Sequence, residues 1–127
     1  MDISKDKIKR LLKNSEFKKV NKAKSIIKNG VIVKAKKRDM TLTEKNDIVR
    51  IGLTCSKKIG NAVKRNKAKR RLNALSKLVF PNHSISGWDY VLIGKKDETI
   101  NISFEEIKKN MIDAMKIIHE GNVNKGS

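Results

Sequence analysis

The sequence predicts an α+β fold, a two-layer α/β sandwich in which helices cover a small sheet in the order α-β-β-α-β-α. Three observations point there. Alternating or continuous apolar stretches within residues 26–38, 48–56 and 88–94 read as strands. Residues 61–80 place apolar side chains at helical spacing with no proline before Pro81, and the C-terminal region repeats that spacing behind a capping signal.

Residues 5–22 read as a first helix, in which Asn14 or Ser15 could cap a turn beginning at Glu16, and Phe17 and Val20 then share a face. In "IIKNGVIVKAKKR" (26–38), Val31, Val33 and Ala35 alternate ahead of a basic run, which fits a strand. "DMTLTEKND" is a polar loop, and "IVRIGLTCS" (48–56) is a second strand, expected to pair antiparallel with the first. The central helix starts at Gly60 or Asn61. Along it Ala68, Leu72, Leu75 and Val79 form one seam, with Asn66, Arg70, Asn73 and Lys77 opposite. "PNHSISG" ends that helix and forms a loop, "WDYVLIG" (88–94) is a strand, and a last helix begins near Ser103. There Ser103 and Glu106 match a capping box, and Phe104, Ile107, Met111, Met115 and Ile118 supply the apolar face. A single domain is expected over residues 1–120, followed by a disordered tail at 121–127.

Composition narrows the function. The net charge of +18 exceeds what solubility needs and opposes compaction, so a polyanion is the expected partner: nucleic acid, an anionic membrane surface or an acidic protein. Residues 1–88 hold 25 Lys or Arg against 6 Asp or Glu, whereas residues 89–127 hold 6 against 7. From Ile48 to Trp88 there is no acidic residue. The lone Cys55 excludes an internal disulfide and a multi-cysteine zinc site, and its strand setting suggests a buried thiol. No run reaches transmembrane length, the N-terminus has no secretory apolar core, and Asp2 and Asp6 speak against a transit peptide. A cytoplasmic location is expected, with no membrane partner.

The charge concentrates in "SKKIGNAVKRNKAKRR" (56–71), eight cations in sixteen positions without an acid. Lys57 and Lys58 precede the central helix, Lys64 and Arg65 open it, and Lys67, Lys69, Arg70 and Arg71 continue around it. A membrane-surface helix would gather its charge opposite a broad apolar stripe. Here the apolar seam is narrow and most of the circumference is cationic, which suits phosphates approaching from several directions. Ser56, Asn61 and Asn66 add short hydrogen-bonding groups for phosphates or sugar hydroxyls. A merely solvated helix would mix the signs of its charges.

"RIGLTCSKKIGNAVKRNKAKRRL" (50–72) resembles the signature of the bacterial ribonuclease P protein family through Ser56, Lys57, Lys58, Gly60, Asn61, Ala62, Val63, Arg65, Asn66, Lys69 and Arg70. Fainter similarity covers residues 11–22, "WDYVLIG" and the final helix. The resemblance implies a sandwich with a left-handed β-α-β crossover, against the usual hand. It also implies a ribonucleoprotein that removes the 5′ leader of precursor tRNA, with catalysis in the RNA subunit and Mg²⁺ held mainly by that RNA, none tightly by the protein. The implied partners are the catalytic RNA and precursor tRNA, with no obligate protein partner. The catalytic RNA would meet the Arg-Asn-Arg region. The leader would lie in a cleft between the sheet and first helix, near Arg10, Lys13, Phe17 and Lys34. Two positions depart from the family pattern. Lys67 replaces the usual second arginine and loses its planar fork, and Asn21 stands where a second aromatic is common.

The chain shows no self-sufficient active site. The basic region lacks the clustered carboxylates of a metal-dependent nuclease. Asp97, Glu98, Glu105 and Glu106 surround the start of the last helix, where capping and the helix dipole account for the nearest ones. His83 and His119 read as surface residues. The alternative to a ribonuclease P subunit is a non-catalytic RNA-binding protein such as a ribosomal protein, and a protein-only nuclease is more distant.

Overall fold

The structure, a computed structural model, describes residues 3–10, 14–38 and 47–126. It is an α+β sandwich built on one five-stranded mixed sheet. The strands are β1 (Ile8–Arg10), β2 (Ser25–Lys28), β3 (Val31–Lys37), β4 (Val49–Thr54) and β5 (Trp88–Gly94), in the spatial order β1-β4-β5-β3-β2. The helices are α1 (Asn14–Asn21), α2 (Ala62–His83), α3 (Glu98–Asn101) and α4 (Phe104–Gly126). Single 3₁₀ turns occupy Lys5–Lys7 and Lys57–Ile59.

The pleat divides the sheet into two faces. Val31, Val33 and Ala35 of β3, Val49 and Ile51 of β4, and Trp88, Tyr90 and Leu92 of β5 meet α2 and α4 in the main core. On the opposite face Val91 packs against Val20 of α1, with Phe17 and Ile93 beside them. Ala68, Leu72, Leu75 and Val79 are fully buried, so the expected seam of α2 is the one that docks on the sheet. The expected caps form as well. Asn61 Oδ1 accepts the Lys64 N–H at 3.0 Å, and Ser103 Oγ accepts the Glu106 N–H at 3.2 Å.

Several local expectations are corrected. Residues 5–22 are not one helix, because Ile8–Arg10 adds as a parallel strand to β4 with Ile8 opposite Val49. Burying Ile8 against the main core outweighs the local helical preference of this segment. Residues 26–38 are two strands of a hairpin, since Asn29-Gly30 is a turn dipeptide and Gly30 takes φ 92°. The first and second predicted strands do not pair. β5 lies between them, parallel to β4 and antiparallel to β3, with Ile51 opposite Tyr90 and Val33 opposite Leu92. An uninterrupted apolar run such as "YVLI" suits that central position, buried on both sides. The β4–α2–β5 unit is thus a parallel β-α-β crossover within one sheet.

Pro81 does not stop α2. It sits in the last turn, and the helix closes at Ser84, whose N–H reaches the Phe80 carbonyl at 3.0 Å. The Pro81 carbonyl accepts the Ile3 N–H at 2.7 Å, tying the N-terminal segment to this helix end. The stretch "KKDETIN", read as loop, contains α3. The backbone of 121–126, read as a tail, continues α4.

The β2–β3 turn is fixed from outside. The Gly30 N–H donates to Glu98 Oε1 at 2.9 Å, and its carbonyl accepts the Thr99 hydroxyl at 2.6 Å. The Gly30 N–H, and after it the Lys95 side chain, hold the Glu98 carboxyl below its ordinary range. A Cβ built on Gly30 would lie 2.8 Å from Ile107 Cγ1. Gly30→Ala is therefore expected to destabilise the fold by roughly 2–4 kcal/mol, through left-handed backbone strain and overpacking together. Urea unfolding monitored by circular dichroism checks this, and a loss under about 0.5 kcal/mol, the scale of an inconsequential surface change, would contradict it.

Candidate nucleic-acid interface

The basic segment begins where β4 ends. Ser56 opens the 3₁₀ turn, its Oγ accepting the Lys58 N–H at 3.3 Å, and Gly60 follows at φ 137°, ψ −150°, a conformation open to glycine. Asn61 then caps α2. Ser56 and Asn61, expected to face phosphate, thus hold their own backbone, and what they fix is the direction in which α2 leaves the sheet.

Along α2 the cations stay in solvent. Lys57, Lys58, Lys64, Asn66, Lys67, Lys69 and Arg70 are exposed and Arg65 is half-buried. No acidic side chain lies in the helix. Arg71 differs. Half-buried, its Nη1 donates to the Thr99 and Ile100 carbonyls at 2.8 and 2.6 Å, closing the C-terminal end of α3.

The residues expected beside the leader converge partly on this helix. Arg10, at the end of β1, donates through Nη2 to Asn73 Oδ1 of α2. Phe17 of α1 is half-buried, packing with Val20 and Val91. These two, with Leu53, Lys69, Arg70 and Asn73, line a hollow of about 380 Å³ beside the edge of β4 that extends beyond β1. Lys34 is not part of that hollow; its Nζ donates to the Asn21 carbonyl at 3.2 Å. Lys13 lies outside the described residues. Asn73 was placed opposite the seam, without a role. Its (i, i+3) and (i, i+4) relation to Arg70 and Lys69 was the available signal.

A charge cluster escaped the sequence reading. Arg50 grips Asp89 with two hydrogen bonds of 2.7 Å each, and its Nη1 donates to the Glu16 carboxylate. Arg38 donates to the same Asp89 at 2.6 Å and to the Trp88 and Ile48 carbonyls at 3.1 and 2.7 Å. Asp89 is 5% and Arg38 8% exposed, so this is a desolvated pair held by multiple hydrogen bonds. It ties α1 to β4 and β5, one residue from Phe17.

Cys55 is half-buried, and burial pushes its thiol above the ordinary range. Among the described residues no three His, Cys, Asp or Glu side chains are grouped to hold a metal ion, and no helix is long and apolar enough to cross a membrane.

The fold and this helix define a class: small basic α+β proteins whose crossover helix presents an acid-free cationic face. The ribonuclease P family model matches residues 6–119. The chain is 41% identical to the ribonuclease P protein component of Ruegeria pomeroyi over 109 residues, covering 86% of this chain and 85% of that one. It is 37% identical to the Bacillus cereus protein component over 118 residues, covering 91% and 92%. Among solved structures, the Thermotoga maritima ribonuclease P protein is similar with a TM-score of 0.68 at 25% identity, over 84% of this chain and 94% of that one. The Staphylococcus aureus protein is similar with a TM-score of 0.64 at 27% identity, over 86% and 94%. The chain belongs to the ribonuclease P protein family, and is thus a protein subunit of a tRNA-processing endoribonuclease that works with the ribonuclease P RNA. Membership displaces the ribosomal-protein alternative.

His119, read as a surface residue, is buried beside Trp88 and Tyr90. The Tyr90 hydroxyl accepts the Ile85 N–H at 3.0 Å and shares a 2.7 Å hydrogen bond with His119 Nε2. The other ring nitrogen, Nδ1, is buried and has no partner among the described residues. Burial lowers the pKa to about 4 from an ordinary 6.5. The fold favours the neutral ring, so this contribution is intact above pH 6.5 and is lost as pH falls from 6.5 toward 4. It amounts to roughly 3 kcal/mol in full. Comparing urea unfolding of the wild type and His119→Phe at pH 7 and pH 4.5 checks this. The variant should lose less stability on acidification, and equal losses would contradict it.

Proposed function

We propose that α2 docks on the catalytic RNA through Lys57, Lys58, Lys64, Arg65, Asn66, Lys67, Lys69 and Arg70, while the 5′ leader of precursor tRNA lies along Arg10, Phe17 and Lys34. Arg71 adds charge to that face while its guanidinium is held on α3. The observation that carries the reading is the hollow in which Arg10 and Phe17 meet Lys69 and Arg70, with no acidic side chain among the described residues that line it. It sets an aromatic edge for an unpaired base beside Arg10 for its phosphate, and brings the leader up to the helix that docks on the catalytic RNA.

The protein's part is positioning and charge relief. Ribonuclease P cleavage is a hydrolysis that leaves the mature 5′ end of tRNA, and its Mg²⁺ would be held by RNA. Among the described residues no donor cluster fits a metal ion. Cations on α2 would offset the repulsion between catalytic RNA and substrate phosphates, a task otherwise left to Mg²⁺. Lys67 supplies point charge without a bidentate fork. A cytoplasmic location is part of the same reading.

Reconstitution with the cognate catalytic RNA tests it: the protein should stimulate precursor-tRNA cleavage at low Mg²⁺, and no stimulation would overturn it. Arg65→Ala and Arg70→Ala should each weaken binding to the catalytic RNA. Each should also flatten its log-log salt dependence by about 0.9 per lost duplex-like phosphate contact. Filter binding across a salt series reads both, and an unchanged slope would remove that arginine from the interface.

A further inference from the structure

A second hollow lies on the other side of the Arg10–Asn73 hydrogen bond. It has about 480 Å³ between β1 and the C-terminal half of α2. It shares Arg10, Ile51 and Asn73 with the hollow beside Phe17, so the two adjoin and that hydrogen bond bridges them. Lys5, Lys9 and Lys77 stand around it. Its apolar lining comes from buried Ile51 and half-buried Ile8 and Pro81.

We propose that the two hollows form one groove that carries the single-stranded leader past Phe17, with phosphate on Lys9 and Lys77 and a base against Ile8 and Pro81. The inference rests on the leader-binding reading above and extends it to residues outside the signature segment. Three observations support it. Among the described residues neither hollow has an acidic side chain in its lining, although together they gather six cations. Among the described residues, Lys5, Lys9, Lys69, Arg70 and Lys77 have no acidic partner, whereas neighbouring Lys7 is paired with Asp47 at 2.7 Å. Lys69, Asn73 and Lys77 follow one another at i, i+4 and i+8, a row rising about 12 Å along one side of the helix. Solvated lysines alone would need no apolar floor. A concave site of this size, with an apolar floor and a cationic rim, fits a splayed nucleotide. A duplex, with its bases stacked inside, could not put one against Ile8.

The test uses the holoenzyme reconstituted with Lys9→Ala/Lys77→Ala protein. Binding of precursor tRNA, of mature tRNA lacking a leader, and of the protein to the catalytic RNA are measured across a salt series. A thermal melt checks that the variant is folded. The expected result is precursor binding roughly tenfold weaker, from two lost solvent-exposed ion contacts, and a salt slope smaller by about 1.4. Mature tRNA and catalytic RNA should bind as to the wild type. Unchanged precursor binding would overturn the proposal. So would an equal loss with mature tRNA or with the catalytic RNA, which would assign the groove to docking rather than to the leader. A wild-type holoenzyme that fails to distinguish precursor from mature tRNA would instead remove the leader-binding reading itself, and the groove with it.

Discussion

The architecture depends on a helix that must stay attached to the sheet while keeping like charges in water. Five buried apolar side chains, Ala68, Leu72, Leu75, Val79 and Phe80, attach it. Burial of the two leucines and the valine is worth about 1.5–3 kcal/mol each. Against them stand like-charge neighbours three or four residues apart, at 64/67, 65/69, 67/70 and 67/71. Each such pair costs about 0.2–0.5 kcal/mol on a solvated helix. The seam therefore exceeds the repulsion several-fold, and α2 holds its cations outward without a counter-charge of its own. A wider seam would anchor it more firmly and leave fewer positions for Lys and Arg. A narrower one would leave the helix loosely held.

The protein treats its arginines in opposite ways on the two sides of this arrangement. On the α1 face, Arg38 and Arg50 converge on Asp89, and Arg50 also reaches Glu16. Removing one partner of such a desolvated group leaves a buried charge unpaired, at a cost of about 3–5 kcal/mol. These arginines are therefore committed to the fold. On α2, Arg65 and Arg70 belong to a helix without a carboxylate and have no acidic partner among the described residues. What separates structural from available cations is the placement of a few acids, above all Asp89, and not the density of basic residues along the chain.

This explains what could be read in the chain and what could not. The α2 seam, the Asn61 and Ser103 caps and the β5 run are local patterns, and periodicity within one element exposes them. The site's cationic helix was legible for the same reason. Asp89 was hidden because it falls one residue beyond the acid-free stretch 48–88, and its partners come from strands distant in sequence. β1 was missed because three residues make no periodic signal, and only the exposed edge of β4 turns them into a strand. The position of β5 between β3 and β4 was out of reach for a related reason. Sequence neighbours are the default partners, and the crossover through α2 defeats that default. The Asn29-Gly30 turn is a local signal too, but the apolar residues on both sides of it read as one continuous strand.

The short N-terminal strand has an effect out of proportion to its size. Its parallel pairing with β4 carries Arg10 to Asn73, so a residue ten positions into the chain meets the middle of α2. Without that strand, the two adjoining hollows would lack the common wall that Arg10 gives them. The departure at Asn21 bears on the same question. A second aromatic there would give a base another surface to stack on. Here Asn21 ends α1, and its carbonyl accepts the Lys34 side chain, drawing a cation toward the helix end instead. On the proposed reading, recognition of the single strand accordingly shifts from stacking toward phosphate contact. Phosphate contact carries little sequence information, and it weakens with salt more steeply than stacking does.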